Sequence, residues 1–241
     1  MLSEDAQIHT PYGATEAVPI ISITSAEILT ETRNLSEKGY GICIGRPINN
    51  IDIELIKISD DPIDTWSDDL RVASGEIGEI TVKGALVSGE YYNDPKATAL
   101  AKIEENGEIR HRMGDLGWMD KKGRIWFCGR KSHRVLTADG TLFTIPCEAI
   151  FNTHPAVFRS ALVGVGPQHQ QKPVICIELP KPDPDINKSD LKDELLGLAA
   201  TNELTRSIRT VLFHKSFPVD IRHNSKIFRE KLAVWAERKI K

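Results

Sequence analysis

The sequence predicts an α+β fold in two units, a strand-rich and barrel-like first part followed by a small α+β second part. Two observations carry this. In the first part apolar and polar residues alternate: Ile51, Ile53 and Leu55 interleave with Asp52 and Glu54, and Ile80 and Val82 with Thr81 and Lys83. That is the period of a half-buried strand. Beyond Gly129-Arg130-Lys131-Ser132 strands instead interleave with helices, so the units are expected to span 1–129 and 130–241.

The elements follow in order. Tyr12-Gly13-Ala14-Thr15-Glu16 reads as a tight turn with a polar tip, followed by apolar Ala17 to Ile23. Residues 40–128 read as several short strands, interrupted by an acidic, turn-rich surface loop from Asp60 to Ser74. Asp120-Lys121-Lys122-Gly123 is a turn that leads into the strand Arg124 to Cys128. In the second part Pro146 to Thr153 suits a short helix opening on proline. Ser160 to Val165 and Pro173 to Leu179 suit buried strands, with Pro180 to Pro184 as a loop. Ser189 or Asp190 could cap a helix carrying Leu191, Leu195, Leu196 and Leu198. Phe228, Leu232 and Trp235 form one stripe of a final basic helix, read as core packing.

Composition excludes several classes of function. With 31 basic and 34 acidic residues the net charge of −3 gives no reason to expect nucleic acid or an anionic membrane as partner. No apolar run is long enough for a membrane span, and the acidic start Met1 to Ala6 lacks a signal-peptide layout. Cys43, Cys128, Cys147 and Cys176 are scattered without metal-ligand spacing, so they read as small buried hydrophobes in a reducing, cytoplasmic setting.

Taken singly, the candidate chemical residues are ordinary. Gly114-Asp115-Leu116-Gly117 is a turn, Gly129-Arg130 a common dipeptide, and Lys226 a solvated lysine near a helix start. As a set they supply what an acyl-adenylate needs. Tyr12 offers a flat ring for adenine, and Asp115 a carboxylate for a ribose diol. Thr15, Arg130, Lys226 and Glu16 offer a hydroxyl, two cations and a metal-binding carboxylate for phosphate.

The order of Tyr12 to Glu16, Tyr91-Tyr92-Asn93-Asp94-Pro95 through Thr98, Gly114 to Gly117, Gly129-Arg130-Lys131 and Lys226 resembles the AMP-forming acyl-adenylating superfamily. This superfamily comprises acyl-CoA synthetases, luciferases and adenylation domains. Ile145-Pro146-Cys147-Glu148 and His154-Pro155 resemble the start of its small C-terminal domain. The resemblance implies an ATP-dependent ligase that makes an acyl-adenylate of a fatty or β-hydroxy acid and then passes the acyl group to CoA. Tyr12 and Gly13 would lie at the nucleotide, with Tyr12 stacked on adenine; Thr15 would touch the α-phosphate, and Glu16 would hold Mg²⁺. Asp115 would bind both ribose hydroxyls, Arg130 the ribose and phosphate, and Lys226 would bridge the acyl carboxylate and α-phosphate. Ser132 falls at the hinge.

Met113 stands where the family usually has Thr, Ser132 where it has Asp or Lys, and Ser225 where it has Gly before the lysine. His111-Arg112-Met113-Gly114-Asp115 and Arg222 to Lys226 look closest to the β-lactone synthetases of bacterial olefin synthesis. In that branch the hydroxyl of a β-hydroxyacyl-adenylate displaces AMP without CoA. Association with other enzymes of such a pathway is a further implied partner. The resemblance also places the chain's start just ahead of Tyr12, after the family's phosphate loop, so the isolated 241 residues are expected to bind ATP weakly. A non-catalytic folded fragment is the reading from another class.

Overall fold

The computed structural model describes residues 3, 6–180, 187–221 and 223–241, with the side chains of 223–225 left out. The fold is α+β. The chain forms two compact units, one of residues up to Leu35 and from Gly41 to Ser132, the other of Ser36–Tyr40 and His133–Lys241.

The first unit is an antiparallel sheet in the order β1-β2-β3-β8-β7-β5-β4, with β6 also paired to β7. Its strands are β1 (His9–Ala14), β2 (Ala17–Thr24), β3 (Ile42–Pro47), β4 (Asp52–Ile56), β5 (Gly78–Lys83), β6 (Lys102–Glu105), β7 (Glu108–Met119) and β8 (Ile125–Arg130). The alternation read from the sequence is realised in β4 and β5, whose Ile53, Leu55, Ile80 and Val82 are buried together with Ile20, Ile21 and Ile125. At up to roughly 2–3 kcal/mol per fully buried aliphatic side chain, this cluster is a main source of the unit's cohesion. The acidic Asp60–Ser74 stretch is mostly exposed and irregular apart from one short turn of helix, Asp68–Leu70. Ser25 to Leu35 is helical, although no clean apolar periodicity announces it.

β7 organises this unit, because it pairs with β5, β6 and β8. Against β5 its register slips between Thr81↔Arg112 and Glu79↔Leu116, so residues 113–115 stand opposite Ile80 alone. Gly114, at φ 65°, takes the left-handed conformation that such a bulge needs. The bulge re-aims Arg112, just before it, and Asp115, its last residue.

In the second unit β11 (Arg159–Val165), β12 (Lys172–Glu178) and β13 (Thr210–Phe213) form one sheet, β11 antiparallel and β13 parallel to β12. Strand alternation sorts its core into two layers. Leu162, Ile175 and Ile177 pack with Phe151, Leu191 and Leu195 from the helices Thr144–Asn152 and Lys188–Ala200. Ala161, Val163, Val174 and Cys176 pack with Phe217, and with Leu232 and Ala236 of the helix Arg229–Ile240. Two hairpins complete the unit, β9 (Val135–Thr137) with β10 (Gly140–Leu142) and β14 (Val219–Asp220) with β15 (His223–Ile227).

Two expectations need correction, and a third cannot be compared. The helix carrying Leu191 is capped by Asn187, whose side chain accepts from the Ser189 N–H, so Ser189 and Asp190 lie inside it. Phe228 is the cap residue of the last helix, and the fully buried positions are Leu232 and Ala236, with Trp235 only partly buried. The Trp235 and His214 rings meet edge to face with centroids 4.6 Å apart, while Trp235 also packs against the Leu232 and Ala236 layer. The loop expected at Pro180 to Pro184 falls, from 181 onward, outside the described residues. All four cysteines are free and buried, and burial pushes the thiols of Cys128 and Cys176 up to about 12.

Candidate active site

A cavity of about 420 Å³ opens in the first unit, lined among others by Gly13, Thr15, Glu16, His111, Arg112 and Arg130. One wall is the β1–β2 hairpin. Its pairing shifts between Tyr12↔Ile21 and Ala14↔Ala17, leaving Gly13 at a bulge where a Cβ would lie 2.5 Å from the Ala17 carbonyl oxygen. Only glycine permits that approach, and Thr15 and Glu16 form the tip it supports.

Behind this tip lies a polar cluster centred on Asp115, which is 5% exposed. The Tyr12 hydroxyl donates to Asp115 Oδ2 at 2.5 Å. Arg130, directly across the β7–β8 ladder from Asp115, brings Nε to 3.0 Å from Oδ1. That contact is an ion pair without hydrogen-bond alignment, so Oδ1 remains a buried acceptor with no hydrogen-bond partner among the described residues. Burial raises the Asp115 carboxyl above its ordinary range, opposed chiefly by the Arg130 charge. Burial, and next the Asp115 charge, raises the Tyr12 phenol well above its own.

Glu16 sits at the mouth. Its Oε1 accepts from the Tyr91 hydroxyl at 2.7 Å, the main reason its carboxyl titrates below the usual range. Tyr91 is itself pushed up to about 12 by burial and this bond. Glu79 is buried at 1% exposure beneath Arg112 and Lys131, at 2.7 Å and 3.1 Å. Arg112 also donates to the carbonyls of Ser59, Asp61 and Leu100. It thereby fastens the acidic loop to the cavity wall.

His111 contributes a neutral imidazole. Its Nδ1 lies 3.1 Å from the Ala101 carbonyl oxygen, an atom that can only accept, so the proton is on Nδ1 and Nε2 keeps its lone pair. Burial, and secondarily the Lys102 charge, pushes it down to about 4. The unfolded imidazole titrates near 6.5, so between those values the unfolded chain binds the extra proton and stability rises with pH. Acidification from 6.5 to 4 is expected to remove about 3 kcal/mol through this residue. Urea unfolding at stepped pH measures this, and His111→Gln is expected to flatten that part of the profile.

The structure therefore gathers Tyr12, Gly13, Thr15, Glu16, Asp115 and Arg130 in one place. Lys226 lies in the second unit, on β15, with an exposed side chain. Tyr91, His111, Glu79 and Lys131 escaped assignment as site residues. For Tyr91 and His111 the signal was adjacency to the Thr98 and Gly114-Asp115 segments; a lone Glu79 in an apolar strand offers none. Among the described residues no group of three or more His, Cys, Asp or Glu could enclose a metal. Mg²⁺ is commonly held by one or two carboxylates with substrate phosphates and water. Glu16 fits that donor set.

No protein-family model matches the chain. The olefin beta-lactone synthetase of Xanthomonas campestris pv. campestris is 46% identical over 244 residues, covering 98% of this chain and 43% of that protein. The protein of the same name from Stenotrophomonas maltophilia is 47% identical over 241 residues, with the same coverage of 98% and 43%. A long-chain-fatty-acid–CoA ligase of Escherichia coli O6:H1 is 29% identical over 180 residues, covering 75% of this chain and 28% of the ligase. Among solved structures, o-succinylbenzoate coenzyme A synthetase from Bacillus subtilis in complex with AMP superposes with a TM-score of 0.69. It is 21% identical, covering 94% of this chain and 41% of that one. The chain thus spans less than half the length of the curated relatives it matches. Matched over nearly all its own length by the two olefin beta-lactone synthetases, the chain belongs to the AMP-forming acyl-adenylating ligases and corresponds to their C-terminal portion.

Proposed function

We propose that the whole protein activates a β-hydroxy fatty acid with ATP to its acyl-adenylate and closes that adenylate to a β-lactone, releasing AMP. The observation that carries the nucleotide reading is Asp115. A buried carboxylate with one oxygen on Tyr12 and the other an open acceptor beside Arg130 suits the vicinal hydroxyls of a ribose.

In this reading Tyr12 offers its ring face to adenine, Arg130 reaches the ribose and phosphate side, and the Thr15 hydroxyl meets the α-phosphate. Glu16 would hold Mg²⁺, which when bound supplies charge neutralisation at the phosphate oxygens. Lys226 would bridge the acid carboxylate and the α-phosphate as the carboxylate oxygen attacks phosphorus and pyrophosphate leaves. The substrate's own β-hydroxyl then attacks the acyl carbon, its proton is lost, and the acyl–phosphate bond breaks. Residues 1–129 would be the end of the large AMP-binding domain. Residues 130–241 would be its small mobile companion turning about Ser132. Four free buried thiols suit a reducing cytoplasm.

Lactone closure is favoured over transfer to CoA because the two olefin beta-lactone synthetases are 46% and 47% identical, against 29% for the CoA ligase. The test is product analysis with the full-length protein, ATP, Mg²⁺ and a long-chain β-hydroxy acid. Lactone and AMP should form without CoA. A strict CoA requirement with thioester product would replace this second step by the ligase one. Absence of AMP with any acid would defeat the reading as a whole.

A further inference from the structure

Two tyrosines stand side by side, and they differ sharply in their surroundings. Tyr92 is 92% exposed. Tyr91 turns into the cavity wall and donates its hydroxyl to Glu16 Oε1 at 2.7 Å. Two anchors independent of Glu16's side chain hold it there. The Tyr91 N–H donates to Thr98 Oγ1 at 3.0 Å, and Thr98 belongs to the helix Pro95–Ala101 capped by Asp94. Lys102 Nζ lies 5.6 Å from the centre of the Tyr91 ring. Lys102 also donates to the Ser88 carbonyl at 2.6 Å and the Ser88 hydroxyl at 3.1 Å, while the Ser88 N–H donates to the Glu16 carbonyl at 2.9 Å.

The segment from Ser88 to Thr98 therefore grips the Thr15–Glu16 tip twice, by its backbone and by its carboxylate. A glutamate on a turn has three rotatable side-chain bonds and would otherwise sample many rotamers. The Tyr91 hydroxyl binds one carboxylate oxygen and leaves the second outside that bond. Donors of this kind orient metal ligands without touching the metal.

We infer that Tyr91 is a positioning residue for Glu16, fixing its carboxylate so that the oxygen not bound by Tyr91 meets the divalent cation of a metal–nucleotide. This rests on the reading of Glu16 as the metal contact, and the experiment separates the two. The full-length protein is titrated by calorimetry with the α,β-methylene analogue of ATP, whose uncleavable α–β bridge prevents transfer of its adenylyl group, across a Mg²⁺ series and without metal. Tyr91→Phe keeps the ring over Lys102 and removes only the hydroxyl. It should raise the Mg²⁺ concentration for half-saturation about 10- to 100-fold, and leave metal-free nucleotide affinity and the thermal midpoint unchanged. Tyr92→Phe should change none of these, and Glu16→Gln should abolish the Mg²⁺ dependence. Equal losses with and without metal for Tyr91→Phe would overturn the inference in favour of a merely structural tyrosine. An unchanged Mg²⁺ dependence in Tyr91→Phe beside a lost one in Glu16→Gln would overturn it and leave Glu16 in its role. An unchanged dependence in both would remove Glu16 from the metal and take the inference with it.

Discussion

Replacing Glu148 by alanine is expected to destabilise the second unit by about 3–5 kcal/mol. Glu148 sits on the Thr144–Asn152 helix, where one carboxylate serves two other elements. Its Oε1 accepts the Leu162 N–H of β11 at 2.8 Å, and Arg229 at the head of the last helix reaches its two oxygens at 2.7 Å and 2.9 Å. Both side chains are largely buried, at 6% and 12% exposure. Removing the carboxylate leaves a guanidinium and an amide without their acceptor, and an uncompensated buried charge is what makes such substitutions costly. Burial raises the Glu148 carboxyl above its ordinary range despite Arg229, so desolvation outweighs attraction. The double variant Glu148→Met with Arg229→Met is therefore expected to recover the share of the loss due to the unpaired guanidinium, leaving about 1–3 kcal/mol for the Leu162 N–H that still lacks its acceptor. Hydrogen exchange of the β11 and β12 amides reads both effects, and a single variant with unchanged protection would refute the account.

Lys226→Ala in the full-length protein should lower adenylate formation by roughly 10²- to 10³-fold, the scale seen when one charge-stabilising donor is removed from a reacting centre. Stability should hardly move. β15 pairs with β14 through Val219↔Ile227, and Ile227 packs on the apolar layer beneath. Alternation along a strand then turns Lys226 outward, where it is exposed. Substitution of an exposed side chain outside any network usually shifts stability by less than about 0.5 kcal/mol. Pyrophosphate release and thermal unfolding, measured on the same variant, should therefore diverge. Unchanged pyrophosphate release would take Lys226 out of the chemistry.

By itself the sequence determined the α+β class, the strands β4, β5, β11 and β12, the three helices of the second unit, and Tyr12 and Arg130 as companions of Asp115. Period-two alternation in β4 and β5 and the glycines of the hairpin and bulge are local signals, written within a few residues of where they act. The tertiary structure alone decided which oxygen of Asp115 stays open, because that depends on the angle at which Arg130 crosses from β8. It alone placed Glu79, a carboxylate in an apolar strand, beneath two cations from β7 and the end of β8. It also paired Tyr91 with Glu16, 75 residues apart, and set His111 against a backbone carbonyl that fixes its proton. Each of these is a contact between separate elements, strand to strand, loop to turn or strand to helix end. Such contacts follow from sheet order and register, which nearest-neighbour patterns do not encode.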